Sequence, residues 1–89
     1  MKSQEELRGA SYDPQAAQRI RAMIDLYPSR KIAASVAEKS EDSLANYAAG
    51  RNEPPFPVIV RLASHVGVSL HWLATGEGSM REGEQQHQT

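Results

Sequence analysis

Three histidines, several serines and eleven carboxylates are the side chains of this chain with the most chemical scope, so their spacing is informative. His65, His71 and His87 do not pair at the four-residue spacing that places two imidazoles on one helix face, and no acidic partner pattern accompanies them. No serine stands in the glycine-flanked turn that exposes a nucleophile, and no glycine-rich phosphate loop is present. We therefore expect neither an enzyme nor a metal site, and no cofactor or small-molecule substrate.

Length and composition restrict the class of protein further. The chain has 89 residues, enough for one small domain and its tails. No apolar stretch approaches the roughly 20 residues that span a bilayer, and no basic segment followed by an apolar one begins the chain, so we expect a cytoplasmic protein without membrane contact. Because the sequence has no cysteine, disulfides and thiolate metal sites are excluded.

The net charge of -1 conceals an uneven distribution along the chain. Residues 1–13 and 76–89 are both acidic, with net charges of -1 and -2. Between them, residues 14–75 carry seven arginines and lysines against five acidic residues, a net charge of +2. The body of the chain is therefore mildly basic, which permits a polyanionic partner.

Apolar residues recur at helical spacing throughout the body, and capping or stopping residues bound each stretch. The pattern predicts an all-α fold of five short helices. The helices are expected from Asp13-Pro14 to Pro28, from Ser29 to Glu38, from Ser40 to Gly50, from Pro57 to Gly67 and from Ser69 to Gly76.

These boundaries divide the chain into a flexible N-terminal arm (residues 1–12), a helical domain (residues 13–76) and a disordered polar tail (residues 77–89). One side of each helix is expected to face a common core. In the second helix this side is expected to include some of Ile32, Ala33, Val36 and Ala37. The aromatic residues Tyr47, Phe56 and Trp72 are expected to pack rather than to stack on a ligand.

The second and third predicted helices, with a break of about three residues between them, have the form of a helix-turn-helix. Measured from the small residue Ala34, Leu44 lies ten residues on and Tyr47 thirteen, the spacing at which such motifs place core positions. A neighbouring register, anchored on Ile32 and Val36 with a turn one residue longer, is the alternative.

Three segments carry a family resemblance: RKIAASVAEKSEDSLANYAAGR, NEPPFPV and VGVSLHWLATGEG. Over roughly residues 14–78 the chain resembles the Cro/repressor-type (XRE-like) helix-turn-helix family, and more narrowly the N-terminal DNA-binding domains of phage repressors. The resemblance implies a lambda-repressor-like domain with its helix-turn-helix at the second and third helices. The chain departs from the pattern at Glu38, where the family usually has glycine, and at Lys39, which is usually apolar.

The resemblance also implies that the third helix enters the major groove of double-stranded DNA. Asn46 is the favoured base reader because its amide can donate to and accept from adenine. Glu41 and Asp42 either accept from cytosine or, as we favour, only stabilise the positive end of their helix. The implied base-contacting residues are Ser40, Glu41, Asp42, Ser43, Ala45 and Asn46.

Phosphate contacts are implied at the start of the second helix and around the ends of the third. Arg51 is evenly balanced between this role and ordinary charge pairing with a helix C-terminus. Arg19 and Arg21 are expected mainly on a solvated face. The implied phosphate-contacting residues are Ser29, Arg30, Lys31, Lys39, Arg51 and Asn52.

Two functions are consistent with these features. The first is a sequence-specific transcriptional regulator, a phage or prophage repressor that binds a palindromic operator as a homodimer. The alternative is a protein-interaction or antitoxin-like module that retains the fold without binding DNA; the acidic Glu41-Asp42 pair supports it. Phage repressors that resemble the chain often continue into a C-terminal domain, so the chain is either a whole regulator or the N-terminal part of one.

Overall fold

The architecture is that of a computed structural model, which describes residues 12–81. Over this range the chain forms five helices, so the expected all-α class is confirmed. Of the predicted N-terminal arm only Tyr12 lies within the described residues. The helices are α1 (Pro14–Ile24), α2 (Arg30–Ala37), α3 (Glu41–Ala49), α4 (Phe56–Val66) and α5 (Leu70–Thr75).

Polar side chains begin four of the five helices as the sequence predicts, whereas α4 begins after Pro55 without a side-chain cap, one residue before the predicted Pro57. The serines Ser29, Ser40 and Ser69 each accept a hydrogen bond at 3.1 Å from the backbone N–H three residues further on. Asp13 accepts one at 3.1 Å from the N–H of Gln15. Each bond satisfies a donor that the first turn of a helix leaves without a partner.

The end of α1 differs from the prediction. The helix stops at Ile24, and the N–H groups of Leu26 and Tyr27 bond to carbonyls three residues back, at 3.1 Å. Pro28 disfavours helical geometry in the residue before it, so the last turn opens earlier than apolar spacing alone indicates. Tyr27 is buried nonetheless, because the turn folds it under α4.

One core joins all five helices, with Met23, Leu44, Leu62 and Val58 as its largest fully buried side chains. The expectation that Phe56 packs is wrong. The second helix buries some of its four candidate residues, as expected, because Ala33 and Ala37 are buried and Val36 packs against the core. Ile32 is 43% exposed and Phe56 is 68% exposed. Ile32 lies in the first turn of α2, and Phe56 is the first residue of α4.

The chain continues in ordered contact beyond residue 76, where the tail was expected to begin. Met80 packs against the core and its carbonyl accepts a hydrogen bond at 2.8 Å from the N–H of Ser69, while Val68 and Arg81 form an isolated antiparallel bridge. A single apolar residue among polar ones gives no periodic signal, so sequence patterning did not extend the domain to Arg81. Residues 82–89 lie outside the described range.

Long-range hydrogen bonds from side chains to main-chain carbonyls tie the helices together. The hydroxyl of Tyr27 donates to the carbonyl of Leu62 at 2.7 Å, and that of Tyr12 donates to the carbonyl of Tyr47 at 2.8 Å. Arg19, expected on a solvated face, donates through Nε to the carbonyl of Leu73 at 3.0 Å.

Within residues 12–81, none of the helices has the length and apolar character of a membrane span.

Candidate nucleic-acid interface

Helix α3 is anchored on one side and open on the other. Leu44 and Tyr47 are buried in the core, three residues apart on the inner face of the helix. Ala34 of α2 is also buried, so a small residue stands where the two helices pack together. This arrangement confirms the register measured from Ala34 and excludes the one anchored on Ile32.

The turn between α2 and α3 is formed without glycine. Glu38 adopts the left-handed conformation, with φ 61° and ψ 43°. The N–H groups of Glu38 and Lys39 return to the carbonyls of Ser35 and Ala34, at 3.2 and 3.0 Å. The backbone therefore follows the usual path of a glycine-terminated helix end despite the departure seen in the sequence.

The residues predicted to contact bases lie along the first two turns of α3 and the residue before it. Ser40, Glu41 and Asp42 are exposed, whereas Ser43, Ala45 and Asn46 are partly buried. The Ser40 hydroxyl accepts from the Ser43 N–H and donates to the Ser43 hydroxyl, both at 3.1 Å, so its hydrogen bonds serve the helix end.

Asn46 is paired with a second candidate residue. Nε of Arg51 donates to Oδ1 of Asn46 at 2.9 Å across the end of α3, where Gly50 turns the chain. Because a guanidinium only donates, this contact determines which end of the amide is the oxygen. Asn46 keeps its two N–H donors and one lone pair of Oδ1, the groups that a base edge requires.

Five of the six phosphate candidates fall into two groups at opposite ends of the motif, and Lys39 lies between them. Ser29, Arg30 and Lys31 begin α2, and Ser29 uses its hydroxyl as the cap. Arg51 and Asn52, both exposed, follow α3. Lys39 is exposed in the turn between the two helices.

A shallow cleft of about 200 Å³ brings Arg30 beside α3. It is lined by Arg21 and Arg30 and by Ala45, Ala48 and Ala49 of α3, so one predicted phosphate residue adjoins one predicted base-contact residue. Arg21, which sequence reasoning assigned mainly to solvent, shares this cleft and forms an exposed ion pair with Asp25 at 3.7 Å. Sequence spacing could not reveal that Arg21 lies near Arg30, because the turn after α1 brings the two residues together.

The two histidines within residues 12–81 lie apart from each other and have different neighbours. The ring of His65 stacks on Tyr27 with centroids 5.6 Å apart, and His71 lies 3.6 Å from an oxygen of Glu77 on the surface. In the described part of the chain, no three histidine or carboxylate side chains stand close enough together to hold a metal ion. His87 is outside this range.

The profile of the bacteriophage CI repressor helix-turn-helix domain family matches residues 28–81, which include both helices of the motif and everything described after them. The chain belongs to this CI repressor domain family. The family is one of DNA-binding repressor domains rather than enzymes, so the CI-type domain described here is that of a DNA-binding regulator. No curated protein sequence and no solved structure matches the chain.

Proposed function

We propose that this protein is a sequence-specific transcriptional regulator of phage or prophage origin that binds a palindromic operator as a homodimer. The observation that carries the proposal is the anchoring of α3 through Leu44 and Tyr47, which leaves the polar groups of its other side available to the major groove. Bound at the operator, the protein would exclude polymerase; the mechanism is binding, without catalysis.

In this proposal, Asn46 reads a base and Arg51 holds its amide in position. The pair at 2.9 Å orients Oδ1 and Nδ2 before DNA arrives, which reduces the entropy lost on forming a bidentate contact with adenine. Ser43 and Ala45 lie near enough along α3 to contact neighbouring bases. Glu41 and Asp42 lie in the first turn of α3, where their negative charges interact favourably with the helix dipole and repel phosphates.

Phosphate contacts at both ends of the motif would fix the register of α3. The first-turn amides of α2, with Arg30 and Lys31, face one strand, and Arg51 and Asn52 face the other side of the groove. The cleft between Arg21 and Arg30 adds a second guanidinium beside α3, and Lys39 contributes from the turn.

Selection of bound duplexes from a random library at about 50 to 100 mM salt tests this proposal. We expect an inverted repeat whose half-site centres lie roughly 10 base pairs apart. Absence of enrichment by folded protein would favour the interaction module instead.

Two classes of variant separate base reading from phosphate contact. Asn46→Ala should relax the preference at one base pair in each half-site, at a cost of about 1 to 3 kcal/mol. Arg30→Ala or Lys31→Ala should weaken all duplexes alike and reduce the salt slope by about one each. Ser64→Ala, an exposed change on α4, is the control. An unchanged base preference in Asn46→Ala would show that another residue reads that position.

An apolar groove beside α4 is the surface we propose for the contact between the two copies. Phe56, 68% exposed, and Leu70, 39% exposed, line it together with Ile59 and Leu73, and its volume is about 330 Å³. Glu53 lines the same groove and follows directly after the DNA-facing Arg51 and Asn52. A second copy seated here would therefore lie alongside the proposed DNA surface.

Phe56→Ser tests this contact. It should weaken binding to the full inverted repeat by about tenfold and leave binding to a single half-site unchanged, because only the full site brings two copies together. Leu26→Ser is the matched control, since Leu26 is 37% exposed and lies outside the groove. Equal loss on the two duplexes, or no loss on either, would contradict the assignment.

A further inference from the structure

The turn of the helix-turn-helix receives support from a residue outside the motif. Arg61, in the middle of α4, donates through both Nε and Nη2 to the carbonyl of Ala37, at 3.2 and 2.9 Å. Ala37 is the last residue of α2 and is fully buried. The two bonds join positions 24 residues apart in the sequence, so local patterning does not reveal them.

This contact adds a side-chain donor to the hydrogen bonding at the end of α2. The last carbonyls of a helix lack partners within the helix, and those of Ala34 and Ser35 are satisfied by the N–H groups of Lys39 and Glu38. The carbonyl of Ala37 receives the guanidinium instead. A cation at this place is also favoured by the negative end of the helix dipole.

The conformation of Glu38 explains why support is needed here. Within residues 12–81 it is the one residue other than glycine with a positive φ. In that conformation its Cβ crowds the following carbonyl oxygen, a penalty that glycine at the same place would avoid. The turn is therefore held in a disfavoured geometry, with the guanidinium bonded to the residue immediately before it.

We propose that Arg61 is a positioning residue for DNA recognition. By fixing the carbonyl of Ala37, it sets the point at which the chain leaves α2 and hence the direction in which α3 presents Asn46. It acts from α4 through the turn and does not itself contact DNA. This inference rests on the proposed function, since it assigns a residue that prepares the same surface.

Arg61→Met removes the guanidinium and keeps much of the apolar stem. We expect it to lower affinity for a single half-site by about tenfold relative to the unmodified protein, the effect of losing a charge-assisted pair of hydrogen bonds. Affinity for a nonspecific duplex of equal length should change by less than about twofold, because phosphate contacts are retained. Arg61→Lys provides a charge without the planar fork of a guanidinium, so its half-site affinity should lie between those of the unmodified protein and Arg61→Met.

The decisive measurement is rescue by Glu38→Gly. Glycine tolerates the left-handed turn unaided, so Glu38→Gly combined with Arg61→Met should regain most of the lost half-site affinity. A direct phosphate contact by Arg61 would give no rescue, equal losses on both duplexes and a smaller salt slope, and would overturn the proposal. A loss that merely follows the fraction of unfolded protein would also overturn it. Should Arg61→Met not fold, Arg61→Lys with and without Glu38→Gly provides the same comparison.

Arg19→Met is the matched control. Arg19 donates to the carbonyls of Leu73 and Ala74 at the end of α5, so the change removes the same charge and the same kind of cap away from the motif. It should leave the ratio of half-site to nonspecific affinity unchanged. If the unmodified protein selects no duplex, the proposed function is wrong and the inference falls with it. If it binds and Arg61→Met binds equally well, only the inference is wrong.

Discussion

Tyr27 should make the stability of the domain depend on alkaline pH. The residue is 6% exposed, and its hydroxyl donates to the carbonyl of Leu62 at 2.7 Å. Burial disfavours the phenolate and raises the pKa of Tyr27 to about 12, from an ordinary value of 10.0. A phenolate would also lose the proton that bonds to Leu62, so ionisation and the tertiary contact are incompatible.

The sign and size of the effect follow from proton linkage. Because the pKa of Tyr27 is raised in the folded state, its contribution is fully present below pH 10 and is lost as pH rises through 12. Each unit of pKa difference corresponds to about 1.4 kcal/mol, so this residue should remove roughly 2 to 3 kcal/mol of unfolding free energy across that interval.

Urea unfolding of the unmodified protein and of Tyr27→Phe between pH 8 and pH 12 measures this contribution. At pH 8 the variant should be less stable by about 0.5 to 1.5 kcal/mol, since it lacks the hydrogen bond. Above pH 10 the difference should shrink and then reverse, because phenylalanine cannot ionise. Deprotonation of lysines affects both proteins equally and cancels. A difference that stays constant over the whole range would refute the reasoning.

Two further predictions concern the end of α5 and the segment that follows it. Gly76→Ala should lower the free energy of unfolding in urea by about 0.5 to 1.5 kcal/mol more than Gly67→Ala. A Cβ at position 76 would meet Nη1 of Arg19 at 3.0 Å and displace the guanidinium from the end of α5, whereas nothing lies within 4 Å of a Cβ at position 67. Equal losses would show that the guanidinium adjusts freely. Met80→Ala should cost about 1 kcal/mol by the same measurement, since Met80 packs against the core; no loss would indicate that the domain ends near residue 76, as the sequence predicts.

The helices were predictable because their signals are local. A serine or aspartate side chain that accepts a hydrogen bond from an N–H two or three residues further on marks where a helix begins. Ser29, Ser40 and Ser69 all act in this way. The core positions Leu44 and Tyr47 follow from helical spacing alone. The resemblance to phage repressors then identified the motif, and the CI repressor family match confirmed it.

Contacts between distant segments escaped the sequence for a physical reason. The partner of Arg61 or Tyr27 is a main-chain carbonyl, which every residue carries, so no residue type marks the acceptor. The exposure of Phe56 and Ile32, each in the first turn of its helix, depends on which other segments pack there, and apolar spacing does not encode this. The return of Met80 to the core depends in the same way on the path of the chain after α5.

The candidate interface was predicted as a set of residues but not as an arrangement. The pairing of Asn46 with Arg51 crosses a helix end at a spacing of five, outside the three- and four-residue relations of a helix face. The cleft shared by Arg21 and Arg30 requires the fold of the turn after α1. The DNA contacts of these residues stay predictions until a bound duplex is identified.

The hydrogen bonds that side chains of this domain donate to main-chain carbonyls have an evolutionary consequence. At each such link one position must keep a particular side chain, while the other contributes only its backbone and is free to vary as far as packing allows. Ala74, an exposed acceptor for Arg19, is open to substitution, whereas Arg19 is not. Homologous domains should therefore preserve Arg19, Tyr27 and Arg61 without compensating changes at their partners, so covariation would miss these contacts.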